Sequence, residues 1–512
     1  MRDDGRETRG APSRTLVICC DGTWNDPEDQ TNVWRTFAFL RDYCGEPARA
    51  PDPVTGSLSF ASEVRIALPD GAEADVPVFA YYDRGVGERK GGGAFGVGLG
   101  DNVREAYAFV ARHWRPRASI FIFGFSRGAY TARSLAGMLN AVGIVDADDA
   151  AALDSAWAHY RLAPADRTAQ RKAAIDALQR PGAGRGTTVR FLGVWDTVGS
   201  LGVPVPQLRG LSNKLFGGIY RFHDTALGSN VLNACQALAI HEKRGAFKPV
   251  LWTRRYDRVR DEEGNETRQR LLQVWFTGSH GDVGGGYEGD RRLAEIPLTW
   301  MLRRALESGH PLVESAWTPH CEPSALGARH DSLSKGWRFA SGDRSDVANS
   351  LLQQLPVVGK LILALLDLVA VRNTPRVIGG EIPTDDGQFV VGMGERLHAS
   401  VLERFRGELA PDNVKQALAA GLPVFRERVD ERHPVAEAPV MVDDDEAVVV
   451  DRSTGGIGIS GVPWLQDNAR CRVLLDGERW GARVAWTRGD RAGLALMYKL
   501  RTPRAVAEAG AA

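Results

Sequence analysis

A serine, an aspartate and a histidine, far apart in the chain, each sit among residues suited to acyl-transfer chemistry. Ser126 lies in Gly124-Phe125-Ser126-Arg127-Gly128, a G-x-S-x-G turn. A serine hydroxyl is a weak nucleophile, and a hydrolase activates it on a sharp turn beside a base, with backbone N–H groups aimed at the oxyanion. The base is a histidine, and the histidine needs a carboxylate to fix its tautomer. Among 10 histidines, His280 follows the apolar run Leu271 to Phe276 and opens the Gly-rich turn Gly281 to Tyr287. His223 and His241, in helix-like or turn contexts, read as structural, and His310, His320 and His330 lie in polar loops. Asp196 ends the run Val189 to Trp195 and falls between Ser126 and His280, the chain order expected of nucleophile, acid and base. Asp282 is the alternative acid, but two residues from His280 it would have to fold back on its neighbour. The Arg127 N–H supplies one oxyanion donor. The loop after an early strand, Asp21 to Asn25, offers Gly22 or Thr23 as the second, unless Asp21 and Asn25 simply close a turn there.

These side chains need a framework that delivers them to one place. Ala118 to Phe123 reads as a buried strand, and Ala129, Leu135, Met138 and Leu139 recur at helical spacing before Gly143, so the G-x-S-x-G turn joins a strand to a helix. Further strand-like runs at Leu16 to Cys20, Val76 to Tyr82, Val189 to Trp195 and Leu271 to Phe276 alternate with helical patterns, the rhythm of an α/β protein with a mostly parallel sheet. Residues 146–185, rich in Ala, Arg and Asp, read as a helical insertion of the kind that caps an active site. From Glu446 the texture changes to short strands with Gly turns, at Ala447 to Val450, Gly456 to Ile459, Arg472 to Leu475 and Ala482 to Trp486, which reads as a small separate β domain.

Composition narrows the field of partners. The 512 residues, 43% of them hydrophobic, imply two or three folding units. A formal net charge of zero gives no basis for a sequence-independent grip on nucleic acid. The 6 cysteines are scattered without C-x-x-C pairs, so they read as reduced, packed thiols, and no metal is expected. The N-terminus lacks the apolar core of a signal peptide, which makes the cytoplasm the default location. Leu351 to Val371 is apolar but interrupted by Gln353, Gln354, Pro356, Lys360 and Asp367, so it reads as a core helix, with a lid or peripheral membrane contact as the alternative. Gly91 to Gly96 satisfies G-x-G-x-x-G, yet a polar loop precedes it where a dinucleotide site requires a strand.

Several motifs together resemble a known family. CDGTWN (Cys20 to Asn25), YYDRGVG (Tyr81 to Gly87), GFSRGAYTAR (Gly124 to Arg133), GVWDTVGSLG (Gly193 to Gly202) and SHGDVGGGY (Ser279 to Tyr287) look like the α/β hydrolase family that includes type VI secretion lipase effectors. The similarity spans residues 12–415 and implies an α/β-hydrolase-like sheet, a catalytic Ser126, Asp196 and His280, and phospholipid or related acyl-ester substrates; it does not by itself imply secretion, and delivery by a secretion system or docking to one of its components stands as an alternative to residence in the cytoplasm. Residues 425–500 resemble a PilZ domain, a small β-barrel that senses cyclic di-GMP. Asp451, Ser453 and Gly456 fit its D/N-x-S-x-x-G motif, and Arg428 and Arg432 have the R-x-x-x-R spacing, although the alignment through Arg432-His433-Pro434 puts Val435 in place of the second arginine. The resemblance implies cyclic di-GMP as an allosteric ligand, and no cofactor is required for hydrolysis. A receptor that uses its hydrolase-like part only as an output surface is the alternative.

Overall fold

In a computed structural model of the chain, the described residues are 12–22, 25–67, 73–85, 99–162, 166–183, 187–198, 226–244, 247–332, 376–379, 381–383, 389–405, 410–425, 433–443, 445–453, 456–465, 470–475, 478–488 and 491–499. The chain divides into two compact units, Met1–Phe425 and Arg426–Ala512. Thr23, the Gly91 to Gly96 run, His223, the 351–371 segment, Arg428 and Arg432 lie outside the described residues. No helix among the described residues is long and apolar enough to cross a membrane.

The first unit is built on a nine-stranded sheet. Its strands in chain order are β1 (Thr15–Cys20), β2 (Leu58–Ala67), β3 (Glu73–Asp83), β4 (Ser119–Phe125), β5 (Val189–Trp195), β6 (Val231–Ala239), β7 (Arg270–Phe276), β8 (Glu395–His398) and β9 (Val424–Phe425). In space they run β9-β8-β7-β6-β5-β4-β1-β3-β2. Every pairing is parallel except that of β2 with β3. All five runs expected as strands are strands of this sheet.

Side chains alternate across a strand, and β1 shows how that divides the core. Leu16, Ile18 and Cys20 enter one cluster with Ile120, Ile122, Leu192 and Val194, covered by α2 (Leu99–His113) and α3 (Ser126–Val142). Val17 and Cys19 enter the other with Phe121, Phe123, Phe191 and Trp195, under α1 (Asn32–Tyr43) and the helix Arg292–Glu307. Parallel strands buried on both faces are near-continuous apolar runs, which is why they were readable. All six cysteines are free thiols.

The insertion forms α4 (Ala150–Arg161), capped by Asp149, and α5 (Ala169–Asp176), capped by Thr168. It was expected as a cap over the site. Its described contacts instead buttress the helical layer, with Trp157 against Gly100, Tyr160 against Gly137, an Arg104 to Asp154 ion pair, and Ala152, Ala156 and Ile175 in the core cluster of α2 and α3.

The second unit is a closed six-stranded antiparallel barrel: β10 (His433–Val442), β11 (Asp445–Ser453), β12 (Gly456–Ser460), β13 (Arg470–Leu475), β14 (Glu478–Arg488) and β15 (Arg491–Lys499). Val440, Val442, Val449, Ile457, Ile459, Val473, Val484 and Leu494 fill it. Closure leaves no free sheet edge.

Where α3 crosses β1, a Cβ on Gly128 would stand 2.1 Å from the Cys20 carbonyl oxygen and 2.3 Å from that of Asp21, both immobile backbone, whereas on Gly137 of the same helix it would meet the end of the Tyr160 side chain, its hydroxyl nearest at 3.3 Å. Gly128→Ala should therefore cost about 3 kcal/mol or more in urea unfolding. Gly137→Ala should be near neutral, because the gain in helix propensity, about 1 kcal/mol, offsets the contact. Equal costs would contradict this packing. Beyond β1 and at the end of β3 lie two buried carboxyls, Asp21 and Asp83. Burial raises their pKa values to about 6 and about 7, and hydrogen bonds from Thr31 and Tyr82 to Asp21, and from Gly85 and Asn102 to Asp83, reverse only part of the shift. A carboxyl with a raised folded pKa binds its proton more tightly in the native state. Its stabilisation is complete below the unfolded value of about 4 and is lost as pH rises through the folded one. Relative to the parent, Asp83→Asn should thus gain stability between pH 5 and pH 8, by on the order of 2 kcal/mol; a pH-independent difference would show that Asp83 does not titrate in this window.

Candidate active site

The register of the sheet brings the candidate residues to its carboxyl edge. Phe125 at the end of β4 pairs with Trp195 at the end of β5, so Ser126 and Asp196 leave the sheet side by side. Ala239 of β6 pairs with Phe276 of β7, and His280 opens the short helix α6 (His280–Gly284) after β7. Strand ends of open parallel sheets are where such folds place their chemistry.

Ser126 and Asp196 both have left-handed backbone, with φ of 57° and 41°. Non-glycine residues adopt that region at a cost, and surrounding packing must hold them there. Around Ser126 the holding comes from glycines: a Cβ on Gly124 would stand 2.5 Å from the Gly128 carbonyl oxygen, and Gly128 presses on the backbone of Cys20 and Asp21. Ser126 begins α3, whose N-cap Phe125 offers no side-chain acceptor. The first N–H groups of the helix therefore receive no hydrogen bond from the N-cap side chain, which suits them to a developing negative charge.

Asp196 is fully buried. Its Oδ2 lies 2.6 Å from His280 Nδ1. The Ala239 N–H donates to Oδ1 at 3.0 Å, and the guanidinium of Arg376 grips both oxygens, Nη1 to Oδ1 at 2.5 Å and Nη2 to Oδ2 at 2.9 Å. Burial alone would raise this carboxyl's pKa; the charge of Arg376 and the His280 hydrogen bond outweigh it and hold the group well below the ordinary carboxylate range. An ionised carboxylate only accepts, so His280 Nδ1 carries the proton and Nε2 is left with a free lone pair.

The His280 ring is packed against Phe125, centroids 4.6 Å apart, and edge-on to Phe247 at 5.0 Å. Phe125 immediately precedes Ser126, so the imidazole packs on the side chain of the residue that leads into the elbow. Burial lowers the pKa of His280, with the Asp196 hydrogen bond and charge opposing it. The His280 N–H donates to Glu242 Oε2 at 3.2 Å. Burial would raise the Glu242 pKa, but Arg244 binds the carboxylate through Nε and Nη2 and brings it down to about 2.

The alternative acid, Asp282, is engaged elsewhere. It accepts from the Ser279 N–H and hydroxyl and from the His330 N–H, and its Oδ1 lies 2.6 Å from His330 Nδ1. It fixes the turn that presents His280. His330, expected in an unremarkable polar loop, is part of that clamp, stacked on Tyr287 at 4.3 Å. His241 accepts from the Gly278 N–H, a structural role as expected, whereas His310, expected in a polar loop, is buried edge-on against Phe121 and Phe123 of the core. Gly22 lies against Ser126, a Cβ there standing 3.3 Å from the serine Cβ. Its N–H, however, donates to Asp21 Oδ1 at 2.7 Å, which corrects the expectation that it serves as a free oxyanion donor.

Arg376, Glu242, Arg244 and Phe247 were not foreseen. Glu242 to Phe247 follow β6, and recognising that strand would have flagged its end; VLNACQALA has too few β-branched residues to announce itself. Arg376 is 180 positions from Asp196 and carries no local signal. In the barrel, the Ser453 to Gly456 pairing closes the β11–β12 hairpin, and Asp451 pairs with Gly458 on the same ladder.

"Uncharacterized protein YEL023C" of Saccharomyces cerevisiae is 24% identical over 259 residues, covering 48% of this chain and 34% of that protein. A crystal structure of an uncharacterized protein from Pseudomonas aeruginosa aligns with 59% of this chain and 47% of that one at 18% identity and a TM-score of 0.31. The structure of the Tle1 effector bound to the VgrG spike from the type 6 secretion system aligns with 56% of this chain and 55% of that one at 18% identity and a TM-score of 0.25. The chain thus spans about a third of the yeast relative and about half of these solved structures. None of these findings supports a PilZ identity for the barrel. The family model described as "T6SS, Phospholipase effector Tle1-like, catalytic domain" matches residues 14–304, more than half of the 512, and the chain belongs to that family.

Proposed function

We propose that the protein hydrolyses acyl esters, phospholipids foremost, with Ser126 as nucleophile, His280 as general base and Asp196 as the carboxylate that orients it. The observation that carries the reading is the buried 2.6 Å contact between Asp196 and His280 at the strand ends, beside a serine on a strained elbow. Ser126 Oγ attacks the ester carbonyl while His280 Nε2 takes its proton, and the imidazolium formed is stabilised by Asp196. The same proton then goes to the departing alcohol, and water, activated in turn by His280, releases the acyl group. The Arg127 N–H at the start of α3 is one oxyanion donor; with Gly22 engaged by Asp21, the second role falls to Thr23. A phosphate-bearing substrate is favoured by the Arg127 side chain. Burial lowers its pKa to about 10, and among the described residues it has no carboxylate partner. A phosphodiester next to the scissile ester would supply the missing anion. The family description supports delivery by a secretion system, with a component of that apparatus as the proposed docking partner.

The regulatory part of the proposal rests on the closed barrel and on the placement of Asp451, Ser453 and Gly456 about one hairpin. Cyclic di-GMP would bind there with Arg428 and Arg432 gripping its phosphates. Calorimetry with the dinucleotide should give saturable binding that Arg432→Ala abolishes; no heat of binding would remove the ligand from the account.

Ser126→Ala should lower kcat/KM on p-nitrophenyl esters and on phospholipid by about 10⁴ or more without changing circular dichroism. Retained activity would reject the nucleophile. Because His280 must be neutral to accept a proton and burial lowers its pKa, the rate should be level near pH 7 and fall only below about 6.5. Arg127→Gln should raise KM for phospholipid by about tenfold while sparing a neutral ester; equal loss on both would show that Arg127 does not read the phosphate.

A further inference from the structure

Arg376 lies beyond the stretch matched by the family model, yet its guanidinium is buried against the Asp196 carboxylate. Nη1 also donates to the Ala239 carbonyl at 2.9 Å and Nη2 to the Phe247 carbonyl at 2.5 Å, so the fork is tied at once to the end of β6 and to the residue that packs on His280. Its own carbonyl accepts from Asn413 Nδ2 at 3.1 Å, anchoring it to the helix Asp412–Ala419. A planar fork that meets a carboxylate through two parallel N–H bonds fixes orientation as well as charge.

We propose that Arg376 is a positioning residue of the Ser126, Asp196 and His280 site, its fork holding the Asp196 carboxylate in the orientation from which Oδ2 reaches His280 Nδ1. The inference rests on the hydrolase reading given above. Without the fork, Asp196 would keep, among the described residues, the Ala239 N–H and His280 as partners on a backbone already strained at φ 41°. Arg376 also sets the charge seen by the imidazole. Among the described residues, the charged groups acting on His280 are Asp196 after β5 and Glu242 and Arg244 after β6, with Arg376 behind Asp196. Arg244 binds the Glu242 carboxylate directly, and Arg376 is the cation in direct contact with Asp196. Removing it leaves a less compensated carboxylate beside the imidazole, which favours the imidazolium.

The test combines a histidine NMR titration with pH profiles of p-nitrophenyl ester hydrolysis, on the full chain, for the parent, Arg376→Gln and Arg376→Lys. In folded Arg376→Gln the His280 pKa should rise by about one unit or more, the acid limb of kcat/KM should move with it, and the plateau kcat should fall about 10- to 100-fold. Arg376→Lys keeps the charge and loses the fork. It should leave the limb in place and lower kcat about tenfold with KM unchanged. A merely structural arginine would lower the folded fraction without moving either the titration or the limb, and that result overturns the proposal. Should Arg376→Gln fail to fold, an unchanged kcat in Arg376→Lys overturns it equally. A parent enzyme that hydrolyses no ester defeats the hydrolase reading instead, while the NMR titration still decides whether Arg376 governs His280.

Discussion

A carboxylate taken wholly out of water beside an imidazole needs both charge compensation and hydrogen bonds, or it takes up a proton and ceases to orient anything. Asp196 receives both. Arg376 supplies the charge, the Ala239 N–H fills a further acceptor site, and His280 takes the remaining approach to Oδ2. That arrangement determines which nitrogen of His280 carries the proton and so which is left to act as a base. It also couples distant parts of the first unit, because Asp196 follows β5, His280 follows β7, and Arg376 belongs to the segment that leads into the last two strands.

Backbone strain is concentrated at the same place. Of the described non-glycine residues with left-handed φ, Ser126 and Asp196 are the two that leave adjacent strands at the carboxyl edge of the sheet. Such conformations persist where packing over-determines them. Gly124 and Gly128 provide that packing at Ser126, and the hydrogen bonds on the side chain provide it at Asp196. The secondary Asp282 and His330 clamp plays a comparable part for His280, since it closes the turn from which the imidazole projects.

Much of this was legible before any coordinates because the local chemistry was explicit. The G-x-S-x-G turn lay between an apolar run and a helical pattern, and Asp196 and His280 each followed a buried strand whose residues are apolar on both faces. β6 was not visible, since VLNACQALA lacks β-branched density, and with it went the signal for Glu242 and Arg244. Arg376 could not be read at all: its role depends on a contact across 180 positions, and nothing in its neighbours marks it. The insertion was misjudged for a related reason. An amphipathic segment announces that it packs, but not on which surface, and this one packs on α2 and α3.

The central claim is that Ser126 is activated by His280. The most direct measurement is labelling of the full chain with a fluorophosphonate probe, followed by mass spectrometric mapping of the adduct, in the parent and in His280→Gln. If His280 activates Ser126, a single adduct forms on Ser126 and is lost in His280→Gln while the fold is retained. An adduct at another residue, or labelling of Ser126 at the same rate without His280, would contradict it.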